Sequence, residues 1–126
     1  MSSRILIVED EEVIRSAVKQ MLQRHGYEVA EAGSVEEAES RQDLNDFHLM
    51  LVDIRLPGKP GTELLQQVRD VPILIMTSYA SVQSAVDAMK EGAADYIAKP
   101  FDHHELLVVV ERILTPRPND RTRAAM

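Results

Sequence analysis

Arg4-Ile5-Leu6-Ile7-Val8-Glu9-Asp10 is the stretch on which the reading of the fold turns. A short β-branched run that ends on charges describes a strand buried on both faces, delivering polar groups to one edge of a sheet. Two later stretches repeat the design: Leu49-Met50-Leu51-Val52 runs into Asp53, and Asp95-Tyr96-Ile97-Ala98 runs into Lys99-Pro100. If these strands are parallel, their charges meet at the carboxyl-terminal edge, where open α/β sheets bind ligands. Glu9, Asp10 and Asp53 would repel one another there, so the site calls for a cation. A small hard one such as Mg²⁺ suits oxygen ligands. With one lysine beside them, the site has room for a metal, a phosphoryl group and little else.

Strand-like and helix-like runs alternate five times. Ile5–Val8 precedes a helix in which Val13, Ala17, Val18, Met21 and Leu22 recur at three- and four-residue spacing, ended by Gly26 as a left-handed cap. Tyr27–Ala30 is a weaker second strand. Ser34 and Glu37 form a capping-box pattern for a helix reaching about Arg41. Leu49–Val52 is the third strand; the loop Pro57-Gly58-Lys59-Pro60-Gly61 follows, then a short helix over Thr62–Val68. Pro72 opens a fourth strand, Ile73–Met76, and Ser81 caps a fourth helix through Val82, Ala85, Val86 and Met89 to Gly92. Tyr96–Ala98 is the last strand. Asp102 caps a fifth helix whose buried face is Leu106, Leu107, Val110, Ile113 and Leu114. Right-handed βαβ crossovers then give one parallel sheet with helices on both faces. The pattern stops after Leu114, so residues 1–115 read as one domain and 116–126, with two prolines and three arginines, as a linker or disordered tail.

The chain has 126 residues, enough for one domain with a real core. Its formal charge of -7 argues against nonspecific nucleic-acid binding by this domain. The absence of cysteine removes disulfides and thiolate chemistry and fits a reducing cytoplasm. The opening Met-Ser-Ser-Arg is too short for a signal peptide, and no apolar stretch approaches ~18 residues, so no membrane association is expected.

From about residue 4 to 115 the sequence resembles the receiver domain of two-component response regulators. The likeness rests on an ordered set: Glu9-Asp10 after strand one, Asp53 after strand three, Thr77 after strand four, Lys99-Pro100 after strand five, and Tyr96 three residues before the lysine. The stretch Gly92-Ala93-Ala94-Asp95-Tyr96-Ile97-Ala98-Lys99-Pro100-Phe101-Asp102 resembles receivers attached to σ54-dependent transcriptional activators. The resemblance implies a flavodoxin-like three-layer α/β sandwich with five strands in the order 2-1-3-4-5 and five helices.

It also implies roles. Asp53 would be the phosphoacceptor, a carboxylate nucleophile forming an acyl phosphate. Mg²⁺, with Mn²⁺ as a substitute, would be held by Asp10, Asp53 and the backbone carbonyl of Arg55, and by Glu9 through a water. Lys99 would pair with Asp53 and then with a phosphoryl oxygen, aimed by a cis bond to Pro100. Thr77 would donate its hydroxyl to the phosphoryl group, and Tyr96 would turn inward in response. Ser78 is pointed elsewhere by strand alternation. Arg55 and Tyr79 occupy positions that influence phosphoryl lifetime; neither suits a hydrolytic water, which implies slow self-dephosphorylation. His25, His48, His103 and His104 lack metal-ligand spacing, while Met50, Met76 and Met89 read as core filler.

The implied partner is a sensor histidine kinase that donates its phosphoryl group to Asp53, with the face of helix four, strand five and helix five controlling an effector carried C-terminally. The implied output is transcriptional, with a phosphorylation-dependent homodimer as one form. The chain is thus expected to be a cytoplasmic phosphoacceptor rather than an enzyme. A stand-alone receiver without a DNA-binding output is the alternative. An aspartate-dependent phosphatase of the haloacid-dehalogenase type would need a second aspartate where Arg55 stands. A nucleotide-binding domain would need a Gly-rich loop where Glu9-Asp10-Glu11-Glu12 stands.

Overall fold

Five parallel strands lie in the order β2-β1-β3-β4-β5 in the computed structural model, which describes residues 3–68, 70–78 and 82–115. They are β1 (Arg4–Val8), β2 (Glu28–Ala32), β3 (Leu49–Asp53), β4 (Ile73–Thr77) and β5 (Asp95–Ala98). The helices among the described residues are α1 (Glu12–Arg24), α2 (Val35–Glu39), 3-10 helices at Leu44–Asp46 and Gly61–Gln66, α3 (Val82–Lys90) and α4 (His103–Leu114). The fourth and fifth helices of the sequence reading are therefore α3 and α4.

Alternation along the strands builds two cores. Leu6, Val8, Met50, Val52, Ile73 and Ile75 face one way, against Val35 and Ala38 of α2, Leu64 and Ala88. Ile5, Ile7, Leu49, Leu51, Leu74 and Met76 face the other, against Val18, Met21 and Leu22 of α1 and Leu106 and Val110 of α4. Each aliphatic side chain so buried contributes about 1.5–3 kcal/mol. Slipping β1 or β3 by one residue would exchange its two faces, which fixes the register.

The local caps follow the sequence with informative exceptions. Gly26 ends α1 at φ +90. The Ser34 hydroxyl accepts from the Glu37 N–H, but the Glu37 carboxylate reaches Gly33 N–H instead of the Ser34 N–H of a capping box. That helix stops at Glu39, short of Arg41, where the Ser40 hydroxyl donates to the Glu37 carbonyl. The helix expected over Thr62–Val68 is a 3-10 helix at Gly61–Gln66, preceded by Pro60, which offers no side-chain cap. Asp102 caps α4 as its spacing predicts, whereas Ser81, Tyr79 and the 116–126 tail lie outside the described residues.

Three apolar assignments need correction. Val13 is 83% exposed, so α1 rests on Val18, Met21 and Leu22. On α3 only Ala88 is buried; Val82, Val86 and Met89 are exposed, at the i, i+4 and i+7 spacing that places them on one side. On α4, Leu106 and Val110 are buried, while Leu107, Ile113 and Leu114 are only partly so.

Far from the strand ends that carry Asp53, Asp43 accepts bonds from Arg41 and Arg4, and both guanidiniums lie over the Phe47 ring. The hydrogen bonds from Arg41 and then Arg4 hold the Asp43 carboxyl at about 2, below its usual 3.8. A depressed carboxylate stabilises the fold above its unfolded pKa and loses that contribution as pH falls through the folded value. Asp43→Asn should lower the melting temperature by about 2–4 °C near neutrality. Melting curves across pH should show the gap between variant and parent closing from about 4 towards about 2.

Candidate functional site

Parallel register sets the charged residues side by side. Val8 pairs with Val52 across β1 and β3, so the residues that follow, Glu9 and Asp53, leave the sheet together. Asp53 lies opposite Met76, and Thr77 opposite Ala98, which brings the ends of β4 and β5 to the same edge. The Lys99 N–H extends that ladder by one bond to the Thr77 carbonyl, at 2.9 Å. The peptide between Lys99 and Pro100 is cis, as the resemblance implies.

Lys99 joins the acids. Its ammonium donates to Glu9 Oε2 at 2.5 Å and to Asp53 Oδ2 at 2.7 Å. Asp53 Oδ1 accepts from the Arg55 N–H at 2.9 Å, and Glu9 Oε1 from the Glu11 N–H at 3.2 Å. Glu9 is fully buried, Asp53 nearly so, and Asp10 is exposed. Burial pushes the Glu9 carboxyl above the usual range, more than the bonds from Lys99 and Glu11 lower it. Burial alone would lower Lys99, but its bonds to Asp53 and Glu9, with their charges, raise it. Lys99 is thus held as a cation between two acids.

One carboxylate oxygen from each of Glu9, Asp10 and Asp53 lies within 4.8 Å of the others. An all-oxygen donor set of this size, open to solvent through Asp10, fits a hard divalent cation. The protein supplies charge and direction: the Asp53 carboxylate has an ammonium fixed beside it.

Thr77 is fully buried at the end of β4. Tyr96 is half-buried, and its hydroxyl lies 3.1 Å from that of Ser84 on α3, a partner that nothing in the sequence indicated. Ser78 is exposed just beyond β4, outside the strand whose alternation was used to place it. His48 Nδ1 accepts from the Arg4 N–H and His25 Nδ1 lies against the Met21 carbonyl, so both serve local structure. His103 and His104 are exposed at the start of α4.

Sequence reasoning missed two features. Gly61 packs against β3 so closely that a Cβ there would lie 2.0 Å from the Asp53 carbonyl oxygen, and its N–H donates to the Ile54 carbonyl. The close approach admits no side chain. Beside the acids runs a groove of about 400 Å³ lined by Val13, Ile14, Ala17, Pro100 and Phe101, with Lys99 and Ser78 at its rim.

Residues 5–111 match the family model of the response regulator receiver domain. The chain is 38% identical over 116 residues to the response regulator protein FleR of Pseudomonas aeruginosa, covering 89% of this chain and 24% of that protein. It is 34% identical over 117 residues to the transcriptional regulatory protein SrrA of Staphylococcus aureus, covering 90% and 48%. The chain thus spans half or less of these curated relatives. Among solved structures, the non-phosphorylated HemR receiver domain of Leptospira biflexa superposes with a TM-score of 0.85 at 35% identity, over 93% of this chain and 98% of that one. A response regulator of Burkholderia pseudomallei, solved with a phosphorylated aspartic acid, a calcium ion and citrate, gives 0.75 at 29% identity, over 98% and 72%. From its ordered acids, its 2-1-3-4-5 sheet and these matches, the chain belongs to the response regulator receiver family of two-component systems.

Proposed function

We propose that Asp53 accepts a phosphoryl group from the phosphohistidine of a sensor histidine kinase. The observation that carries this reading is the Asp53 carboxylate, oriented by Lys99 and the Arg55 N–H, with Glu9 and Asp10 oxygens within 4.8 Å. An Asp53 oxygen attacks phosphorus, the P–N bond breaks with its electron pair returning to the imidazole, and an acyl phosphate forms. Lys99 moves from Asp53 to a phosphoryl oxygen, so charge developing in the transition state meets a cation already in place. Asp10, Asp53 and the Arg55 carbonyl would hold Mg²⁺ or Mn²⁺, with Glu9 acting through a water, and a bound ion would supply positive charge to offset that of the phosphoryl group. The phosphorylated aspartic acid of the Burkholderia relative supports the same chemistry here.

The groove at Val13, Ile14 and Phe101 opens beside these acids and suits docking of the donor domain. Thr77 binds the phosphoryl group and Tyr96 turns inward, exchanging its bond to Ser84 for packing. The readout is the face of α3, β5 and α4, where Val82, Val86 and Met89 leave an apolar stripe exposed for an effector or a second phosphorylated copy. The greater length of FleR and SrrA supports a C-terminal effector, and the name of the second supports a transcriptional one. No described helix is long and apolar enough to cross a membrane.

Acetyl phosphate with Mg²⁺ should add one phosphoryl group by intact-mass spectrometry. Asp53→Asn should abolish labelling, and Asp10→Asn should raise the Mg²⁺ concentration required. Full labelling of Asp53→Asn would place the acceptor elsewhere.

Like charges at the site oppose folding, and a cation that binds only the folded form offsets them by mass action. Mg²⁺ at about a hundred times its Kd should stabilise the parent by about 2.7 kcal/mol. Asp53→Ala should melt higher than the parent in EDTA and respond less to Mg²⁺. Melting curves indifferent to both changes would deny a converging carboxylate site.

Thr77→Ala should still be labelled but lose most of the amide-exchange response of α3 and α4, because a ligand shifts two states only by its differential affinity for them. An undiminished response would route the coupling around Thr77 and Tyr96.

A further inference from the structure

Arg15 on α1 takes no part in the residue set that identifies the family, yet it reaches the site's main chain. Its Nη1 donates to the Glu9 carbonyl at 2.7 Å, while its Nε donates to Glu31 Oε1 at 3.3 Å. Lys19, one turn further along α1, donates to the other Glu31 oxygen at 3.1 Å. Glu31 belongs to β2, where it pairs in register with Ile7 of β1. The guanidinium therefore braces α1 and β2 against the main chain just beyond β1, and its own place is fixed by Glu31.

The carbonyl it grips belongs to the peptide joining Glu9 to Asp10. A peptide is planar, so fixing its oxygen fixes the Asp10 nitrogen and the direction in which the Asp10 Cα departs. The Glu9 N–H is fixed from the other side by its 3.0 Å bond to the Ala32 carbonyl. Asp10 is the exposed member of the carboxylate trio, so the backbone ahead of it sets where its oxygen is presented.

We propose that Arg15 is a positioning residue for the cation site, holding the Glu9–Asp10 peptide so that the two acids present their oxygens to one divalent ion. This rests on the carboxylates binding Mg²⁺ as set out above. The sign of the effect separates it from simple electrostatics. A guanidinium near a cation site weakens cation binding by repulsion, so its loss should tighten binding if charge alone mattered. A lost positioning contact weakens it, and outer contacts of metal ligands commonly matter by ten- to a hundredfold.

Calorimetric titration of Mg²⁺ into the parent, Arg15→Met and Arg15→Lys, with melting curves in EDTA, tests the proposal. The expected result is about tenfold weaker Mg²⁺ binding by Arg15→Met, partly restored by Arg15→Lys, which keeps a donor for the Glu9 carbonyl. Unchanged or tighter binding by folded Arg15→Met overturns it, even if the variant melts lower in EDTA. Should Arg15→Met fail to fold, Arg15→Gln takes its place, because it also removes the guanidinium charge while keeping a polar group beside Glu31. Weaker Mg²⁺ binding by that variant supports the proposal, and parental affinity overturns it. A parent that binds no Mg²⁺ rejects the cation site itself, and with it the role of Arg15.

Discussion

Two acids and one ammonium at the end of the sheet set the terms for the rest of the molecule. Lys99 lies between Glu9 and Asp53 at 2.5 and 2.7 Å, and all three side chains are largely removed from water. Removing the shared ammonium would leave two acids uncompensated away from water, which costs about 3–5 kcal/mol, whereas removing one acid leaves Lys99 paired with the other. The arrangement is tolerable only because three strands deliver the groups to one edge in fixed register. The register in turn depends on two cores that accept β1 and β3 on both faces. The chemistry and the packing are thus a single constraint seen from two ends.

Much of this was legible in the sequence, for a physical reason. A strand buried on both faces has no freedom of pattern, so Ile5 to Val8 and Leu49 to Val52 announce themselves, as do the charges that end them. The same runs settled the parallel sheet and the convergence of Glu9, Asp10, Asp53 and Lys99. Helix termini were legible where a side chain has one cheap partner, as with Ser34 and Asp102, or where the backbone needs a positive φ, as at Gly26.

What was not legible shares a cause. Helical spacing reports which residues lie on one side of a helix, not whether that side meets the core. Val82, Val86 and Met89 have the right spacing and are nonetheless exposed, and Val13 does the same on α1. Whereas α1 packs through Val18, Met21 and Leu22, on α3 a small residue does the packing, Ala88. A narrow contact of this kind lets a helix approach closely while its larger apolar groups remain available to other molecules. The roles of Ser84, Arg15 and Gly61 were hidden for a different reason, since each depends on a contact outside its own helix or turn.

The loop after Asp53 returns the chain to its own starting point. Gly61 donates to the Ile54 carbonyl and presses its bare Cα against the Asp53 main chain, so the excursion through Pro57, Gly58, Lys59 and Pro60 is a closed ring. Its side chains face solvent and can vary in size and charge, Gly58 apart, which is held at φ +82 beside the Glu36 carboxylate. Its span is not free, because a residue added or lost would carry the closing glycine out of contact. Evolution or an engineer can therefore rewrite the text of this loop, but not its length.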